Sequence, residues 1–282
     1  MTTNSTRRPV RLPSGFTFHM VEVPGGSFMM GSDDDDADDD EKIIHEVNVP
    51  GFWMAEYPTT QDLWLDLIGG ENPSFFKGAR RPAEGVSWYD AAAFCNALNG
   101  LFGYQARCFV DEKYSLNLDF ERARSVKHPE SIFIYISNTH YGFRLPTEEE
   151  WEYAARGGAS TMVNNPLPLC HYAGSNKLDE VGWYIENSHK QTQPVGLKYA
   201  NELGIYDLSG NIGEWCEDQE KVSKNTMDWL NQEKRVLRGG SWNHFLPQCK
   251  CVSYDSHHPA GSSNTIGFRV VLVPPPDSWP GI

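Results

Sequence analysis

Alternation of apolar and polar side chains marks the start of the folded chain. Phe18-His19-Met20-Val21-Glu22-Val23 reads as a strand, Pro24-Gly25-Gly26 turns it, and Ser27-Phe28-Met29-Met30-Gly31 is expected to return as the second strand of a hairpin. Residues 1–16 before it are polar and read as a disordered leader. His45–Val49 and Phe52–Ala55 resume strand patterning. The period then lengthens. Thr59-Thr60-Gln61 opens a helix with Leu63, Trp64 and Leu67 on one face, and Asn72-Pro73-Ser74 breaks it. Ser87 is the expected cap of a second helix that buries Cys95 among Ala91, Phe94 and Leu98. Thr147 caps a third that ends at Gly157; Glu148, Glu149 and Glu150 in its first turn read as capping and solvation rather than catalysis. Residues 104–140, with Ser131–Ile136 as a strand-like piece, read as a peripheral insertion.

The C-terminal third loses its period. Val236 and Leu237 lead into Gly239-Gly240, and Ile266–Leu272 is an apolar run of strand length. The 23 residues between Trp242 and Ile266 follow neither a helical nor a strand period; they hold three histidines, two prolines, Phe245, Tyr254, Asp255 and many small polar residues. A structureless stretch of that length inside a domain is usually functional or disordered. Tethered at both ends and carrying aromatic and imidazole groups, it reads as a binding surface.

Composition narrows the function classes. The 282 residues are 39% hydrophobic and 12% aromatic, enough for a sizeable core, while 25 Gly and 18 Pro favour turns over a helix bundle. Net charge is −14, and Asp33–Glu41 supplies eight acidic residues in nine. That field opposes binding to a nucleic-acid backbone, so no nucleic-acid partner is expected. The acidic run lacks EF-hand spacing and reads as a solvated loop. No apolar stretch reaches membrane-spanning length, and no signal-peptide core precedes residue 16. The six cysteines form no CxxC pair; Cys249 and Cys251 are the one close couple, poorly spaced for a disulfide.

Several segments together resemble the formylglycine-generating-enzyme, or sulfatase-modifying factor, family, in that family's order. They are Glu22–Ser32 (EVPGGSFMMGS), Val86–Ala91 (VSWYDA), Arg144–Gly158, Gly204–Asn211 (GIYDLSGN) with Glu214-Trp215, Arg238–Trp242 (RGGSW) and Gly267-Phe268-Arg269. The resemblance implies an α+β fold, a variant of the C-type lectin fold with little regular secondary structure. It also implies a single domain over 17–276, with the insertion at 104–140 and a distinct segment at 238–270.

The family holds three functional classes. True formylglycine-generating enzymes oxidise a peptidyl cysteine with two cysteines spaced CxxxxC before Gly-Phe-Arg. Here the second position is Cys251, but the first is Leu246, which offers neither ligand nor nucleophile, so no copper is expected. The iron-dependent sulfur–carbon-bond-forming oxidases carry a further helical domain with a histidine triad, and the nine histidines here are dispersed. The third class, variable proteins of diversity-generating retroelements, fits best. Its C-terminal segment is rewritten by adenine-directed mutagenesis, and many residues here are reachable from an Asn codon altered at its first two bases.

On this reading the chain is a non-catalytic variable receptor, with a formylglycine-generating-type oxidoreductase as the alternative. The ligand-binding residues are His244, Phe245, Ser253, Tyr254, Asp255, Ser256, His257, His258, Ser262 and Ser263, and they should face outward between buried Trp242, Ile266 and Phe268. A protein or glycan ligand and a monomer are expected; the resemblance implies display at a bacterial cell surface after a removed lipoprotein signal, with a cytoplasmic protein as the alternative if no signal lies upstream. The resemblance further implies a structural calcium held by the Asp207 and Glu214 side chains and the Gly210 and Ile212 carbonyls. A metal-free turn held by Asp207 and Asn211 hydrogen bonds is the alternative.

Overall fold

The first apolar stretch does not form the expected hairpin. A computed structural model of the chain describes residues 6–33, 41–110, 115–125, 134–137, 141–158, 170–220 and 234–280. Strand β1 (Arg7–Arg11) lies antiparallel to β2 (Thr17–Val23), so part of the expected leader is structured. Only Val10 of β1 is buried, which is why the strand carries no apolar alternation. Strand β3 (Gly26–Met30) pairs with β4 (His45–Val49) instead of with β2. A side chain at Gly25 would lie 2.7 Å from the Gly51 amide, so the Pro24–Gly26 bend carries the chain closely across a neighbouring turn rather than reversing it. Most of the acidic run, 34–40, lies outside the described residues.

Strand β5 (Phe52–Ala55) pairs with β2, and two helices follow, α1 (Gln61–Ile68) and α2 (Trp88–Leu101). Thr60 stands at the α1 cap position, but its hydroxyl donates to Asp62 instead of accepting a backbone amide. Ser87 completes a capping box on α2: its hydroxyl accepts from Asp90 N (3.1 Å), and the Asp90 carboxylate accepts from Ser87 N (3.0 Å). The insertion contributes β6 (Cys108–Phe109), α3 (Phe120–Ser125) and β7 (Tyr135–Ile136). Asn96 of α2 reaches the carbonyls of Cys108 (2.7 Å) and Leu118 (3.0 Å), so the insertion is fastened into the core. Residues 131–133 of its expected strand lie outside the described residues.

Strand β8 (Gly142–Arg144) precedes α4 (Glu148–Ala155), which Thr147 caps through a second capping box with Glu150. The α4 glutamates are not simply solvated. Glu150 pairs with Arg144 (2.6 Å), while Glu148 and Glu152 both take Arg238 (2.7 and 3.0 Å). A short helix α5 (Leu178–Val181) leads to β9 (Gly213–Gln219), β10 (Arg235–Arg238), β11 (Tyr254–His257), β12 (Ile266–Gly267) and β13 (Val271–Val273).

Two sheets organise these strands. One has the order β1-β2-β5-β13-β8; the other, β11-β10-β9-β12, carries the C-terminal segment. The apolar run 266–272 is therefore two short strands that pass from one sheet to the other, and Phe268 between them accepts from Thr59 N (2.8 Å). Phe268 is fully buried against Trp64 and Phe94, which stack at 5.6 Å, so the core sits where α1, α2 and this crossing meet. No described helix is long and apolar enough to cross a membrane.

Candidate ligand-binding face

Trp242, Ile266 and Phe268 are buried, and each of the ten singled-out residues between the first two is half-buried or exposed. The segment is more regular than its sequence suggests. Pro247–Cys249 makes one 3-10 turn, and Tyr254–His257 is the edge strand β11, in register with β10 from Arg235↔His257 to Arg238↔Tyr254. An edge strand is held by main-chain bonds, so an unpatterned sequence can occupy it.

The framework grips the segment by its carbonyls. Arg238, buried and ion-paired to Glu148 and Glu152, donates to the carbonyls of Cys251 (3.2 Å) and Val252 (2.9 Å). Trp88 N donates to Pro259 O (3.0 Å), Gly85 N to Ser263 O (2.9 Å), and the Trp242 indole to Asn264 O (2.9 Å). Gly213 N reaches Thr265 O (2.9 Å), and Ile185 N reaches His244 O (3.0 Å). Each grip falls on an atom that every residue type possesses.

Side-chain contacts within the face are mostly local. His244 Nδ1 lies 3.2 Å from Ser241 Oγ; burial lowers its pKa, and the nearby Asp255 carboxylate partly offsets that, so the turn and β11 converge there. Asp255 accepts from Ser256 N (2.7 Å), and Ser263 Oγ meets Thr265 Oγ1 (2.9 Å). Tyr254 and His257 reach the framework: Tyr254 lies under the Arg238 guanidinium at 5.6 Å, and the His257 ring edges Trp215 at 6.2 Å. Phe245 and Leu246 are 58% and 41% exposed. The sequence reading missed Phe75, which is 72% exposed and adjoins Phe76 (4.9 Å), itself edge-on to Trp242 (5.3 Å). Its signal was an apolar residue just past a helix break at Asn72-Pro73.

The thiols lie below this face. Cys249 and Cys251 are buried in separate apolar clusters and unpaired, and burial pushes each up to about 12. Leu246, at the position the oxidase chemistry would fill with cysteine, points its side chain toward solvent.

The loop expected to hold calcium is closed by hydrogen bonds. Asp207 accepts from Gly196 N (2.8 Å) and Asn211 Nδ2 (3.1 Å). Glu214 accepts from Arg269 twice (2.6 and 2.7 Å) and from the Trp151 indole (2.7 Å). Both Glu214 oxygens thus accept protein donors in fully buried surroundings, and the Arg269 guanidinium balances the charge. These bonds are those of the metal-free turn; a calcium ion held by Asp207 and Glu214 with the Gly210 and Ile212 carbonyls would have to share the carboxylate oxygens with these donors. Among the described residues no group of three or more His, Cys, Asp or Glu is arranged for a metal.

Comparison with known proteins agrees with this frame. Residues 11–273 match the sulfatase-modifying factor enzyme 1-like domain. The chaperone protein LppX of Paenibacillus barcinonensis is 35% identical over 80% of this chain and 81% of its own. The inactive C-alpha-formylglycine-generating enzyme 2 of Bos taurus is 30% identical over 93% of this chain and 90% of its own. Treponema denticola variable protein 1 superposes with a TM-score of 0.78 at 28% identity, covering 95% of this chain and 99% of that one. The chain belongs to the sulfatase-modifying factor enzyme 1-like family and has its C-type-lectin-like fold.

Proposed function

We propose that the chain is a non-catalytic receptor that binds a protein or glycan through His244, Phe245, Ser253–His258, Ser262 and Ser263, on a segment diversified by a retroelement and displayed at a bacterial cell surface. The observation that carries the reading is the main-chain grip. Arg238, Trp88, Gly85, Gly213 and Trp242 hold carbonyls of the segment and leave its side chains free to change. Likeness to the treponemal variable protein supports it. Leu246 and the buried, protonated Cys251 speak against the oxidase alternative.

Sequencing the locus across related strains tests this. The expected pattern is substitution confined to these positions, matching adenines in a nearby template repeat, with an upstream lipobox; an invariant segment overturns it. A second reading, client binding by an invariant face, is favoured by the relative named as a chaperone. The same survey separates the two.

A further inference from the structure

A recess lies outside this segment: none of its lining residues falls within 244–263. It is a cleft of about 230 Å³ between the start of β1, the Phe16–His19 end of β2 and the Ala55–Thr60 link. Its walls are aromatic, from Phe16, Phe18 and Tyr57, but its charge is cationic in a chain of net charge −14. Arg7 is neutralised by Glu56 (2.8 Å). Burial, with Arg7 nearby, holds His19 below its ordinary value and so neutral at pH 7. Arg80 stacks over the Tyr57 ring at 5.0 Å and makes no ion pair among the described residues. Stacking occupies the face of a guanidinium and leaves its in-plane N–H donors available for a carboxylate.

The wall is built rather than incidental. Tyr57 is pressed on Gly196, where φ is +74° and a Cβ would lie 2.6 Å from the Tyr57 ring. Gly196 N is in turn held by Asp207 (2.8 Å), and Val195 N fixes the Arg80 carbonyl (2.8 Å). Arg269, locked by Glu214, donates to Ala55 O (3.1 Å) and Tyr206 O (2.9 Å), and Tyr206 N reaches Glu56 O (3.0 Å). The buried Thr59 hydroxyl, also lining the cleft, has no hydrogen-bond partner among the described residues. Asp207, Glu214 and Arg269 of the family motifs thus fix the backbone behind this cleft.

We propose that the cleft binds a small organic carboxylate bearing an aromatic arm, the carboxylate on Arg80 and the arm against Phe16, Phe18 and Tyr57. A pocket this small admits a ligand of about ten non-hydrogen atoms, for which a dissociation constant on the order of 1 mM is expected. The test is titration of the full chain, followed by NMR, with benzoate, phenylacetate and 3-phenylpropionate, against benzamide and inorganic phosphate. The expected result is binding of at least one aromatic carboxylate, with benzamide and phosphate each about tenfold weaker or undetectable. Arg80→Gln should weaken it about tenfold, while Lys177→Gln, at an exposed cation outside the cleft, leaves it unchanged. Arg80 is exposed, so both Arg80→Gln and the charge-retaining Arg80→Lys should fold, and Arg80→Lys should bind with intermediate strength. No binding by any carboxylate, equal binding of phosphate, or full binding by Arg80→Gln would each overturn the proposal.

Discussion

Glu214 and Arg269 meet in two parallel hydrogen bonds of 2.6 and 2.7 Å, with both side chains wholly out of solvent. The pair joins β9 to the crossing between the two sheets, and through Arg269 it reaches Ala55 and Tyr206. Removing one member leaves an uncompensated buried charge, so Glu214→Gln or Arg269→Met should destabilise by about 3–5 kcal/mol. Urea unfolding measures this. With Glu214 committed to Arg269, addition of a chelator should leave the unfolding midpoint unchanged. A drop on chelation, restored by calcium, would show that the loop rearranges around a metal.

The second prediction concerns acid behaviour. Asp218 accepts from Glu148 N (2.6 Å) at the α4 N-terminus, yet burial, reinforced by Glu149, Glu148 and Glu217, raises its pKa to about 6 from 3.8. The folded state then holds this proton more tightly than the unfolded chain. The contribution is fully present below about 3.8 and is lost as pH rises through about 6. As pH rises from 4 to 7 the wild type should lose stability relative to Asp218→Asn, the two profiles converging at the acid end; parallel profiles would refute the assignment.

Legibility in the sequence followed distance along the chain. The caps at Ser87 and Thr147 could be read because their partners, Asp90 and Glu150, lie three residues away. The roles of Glu148 and Glu152 could not, because Arg238 is remote in sequence and only the fold brings it to α4. Strand β1 was invisible because its side chains face solvent except at Val10, and β11 because its pairing with β10 is main-chain work. The anchors Trp242, Ile266 and Phe268 were legible as large apolar residues bracketing a polar stretch. Phe75 was not, since exposure of one aromatic leaves no periodic trace.

Cysteine chemistry offers a third test. Cys95, Cys108, Cys216, Cys249 and Cys251 are buried, and only Cys170 is half-exposed. A maleimide probe should label the native protein once, at Cys170, and six times after denaturation. Incubated with copper and a sulfatase-type cysteine peptide, the protein should yield no aldehyde. Turnover that disappears in Cys251→Ser would establish the oxidase instead.

The final prediction contrasts face and anchors. Asp255, His257 and Ser262 are exposed and, among the described residues, receive no framework bond through their side chains beyond the His257 edge contact with Trp215. Substituting Asp255→Tyr or Ser262→Asn should therefore change stability by within about 0.5 kcal/mol. Tyr254→Ala should cost more than these, because its ring supports Arg238. Trp242→Ala removes a buried ring and the indole bond to Asn264 O, and should destabilise by about 3–5 kcal/mol. Gly240→Ala should also be damaging, since a Cβ there would lie 2.8 Å from Cys249 Sγ at a φ of +66°. A library randomised at the ten face positions and sorted by thermal challenge should retain most members folded, whereas one randomised at Arg238, Trp242 and Ile266 should lose them. Equal losses in the two libraries would mean that the face carries the core, and the receptor reading would fall with it.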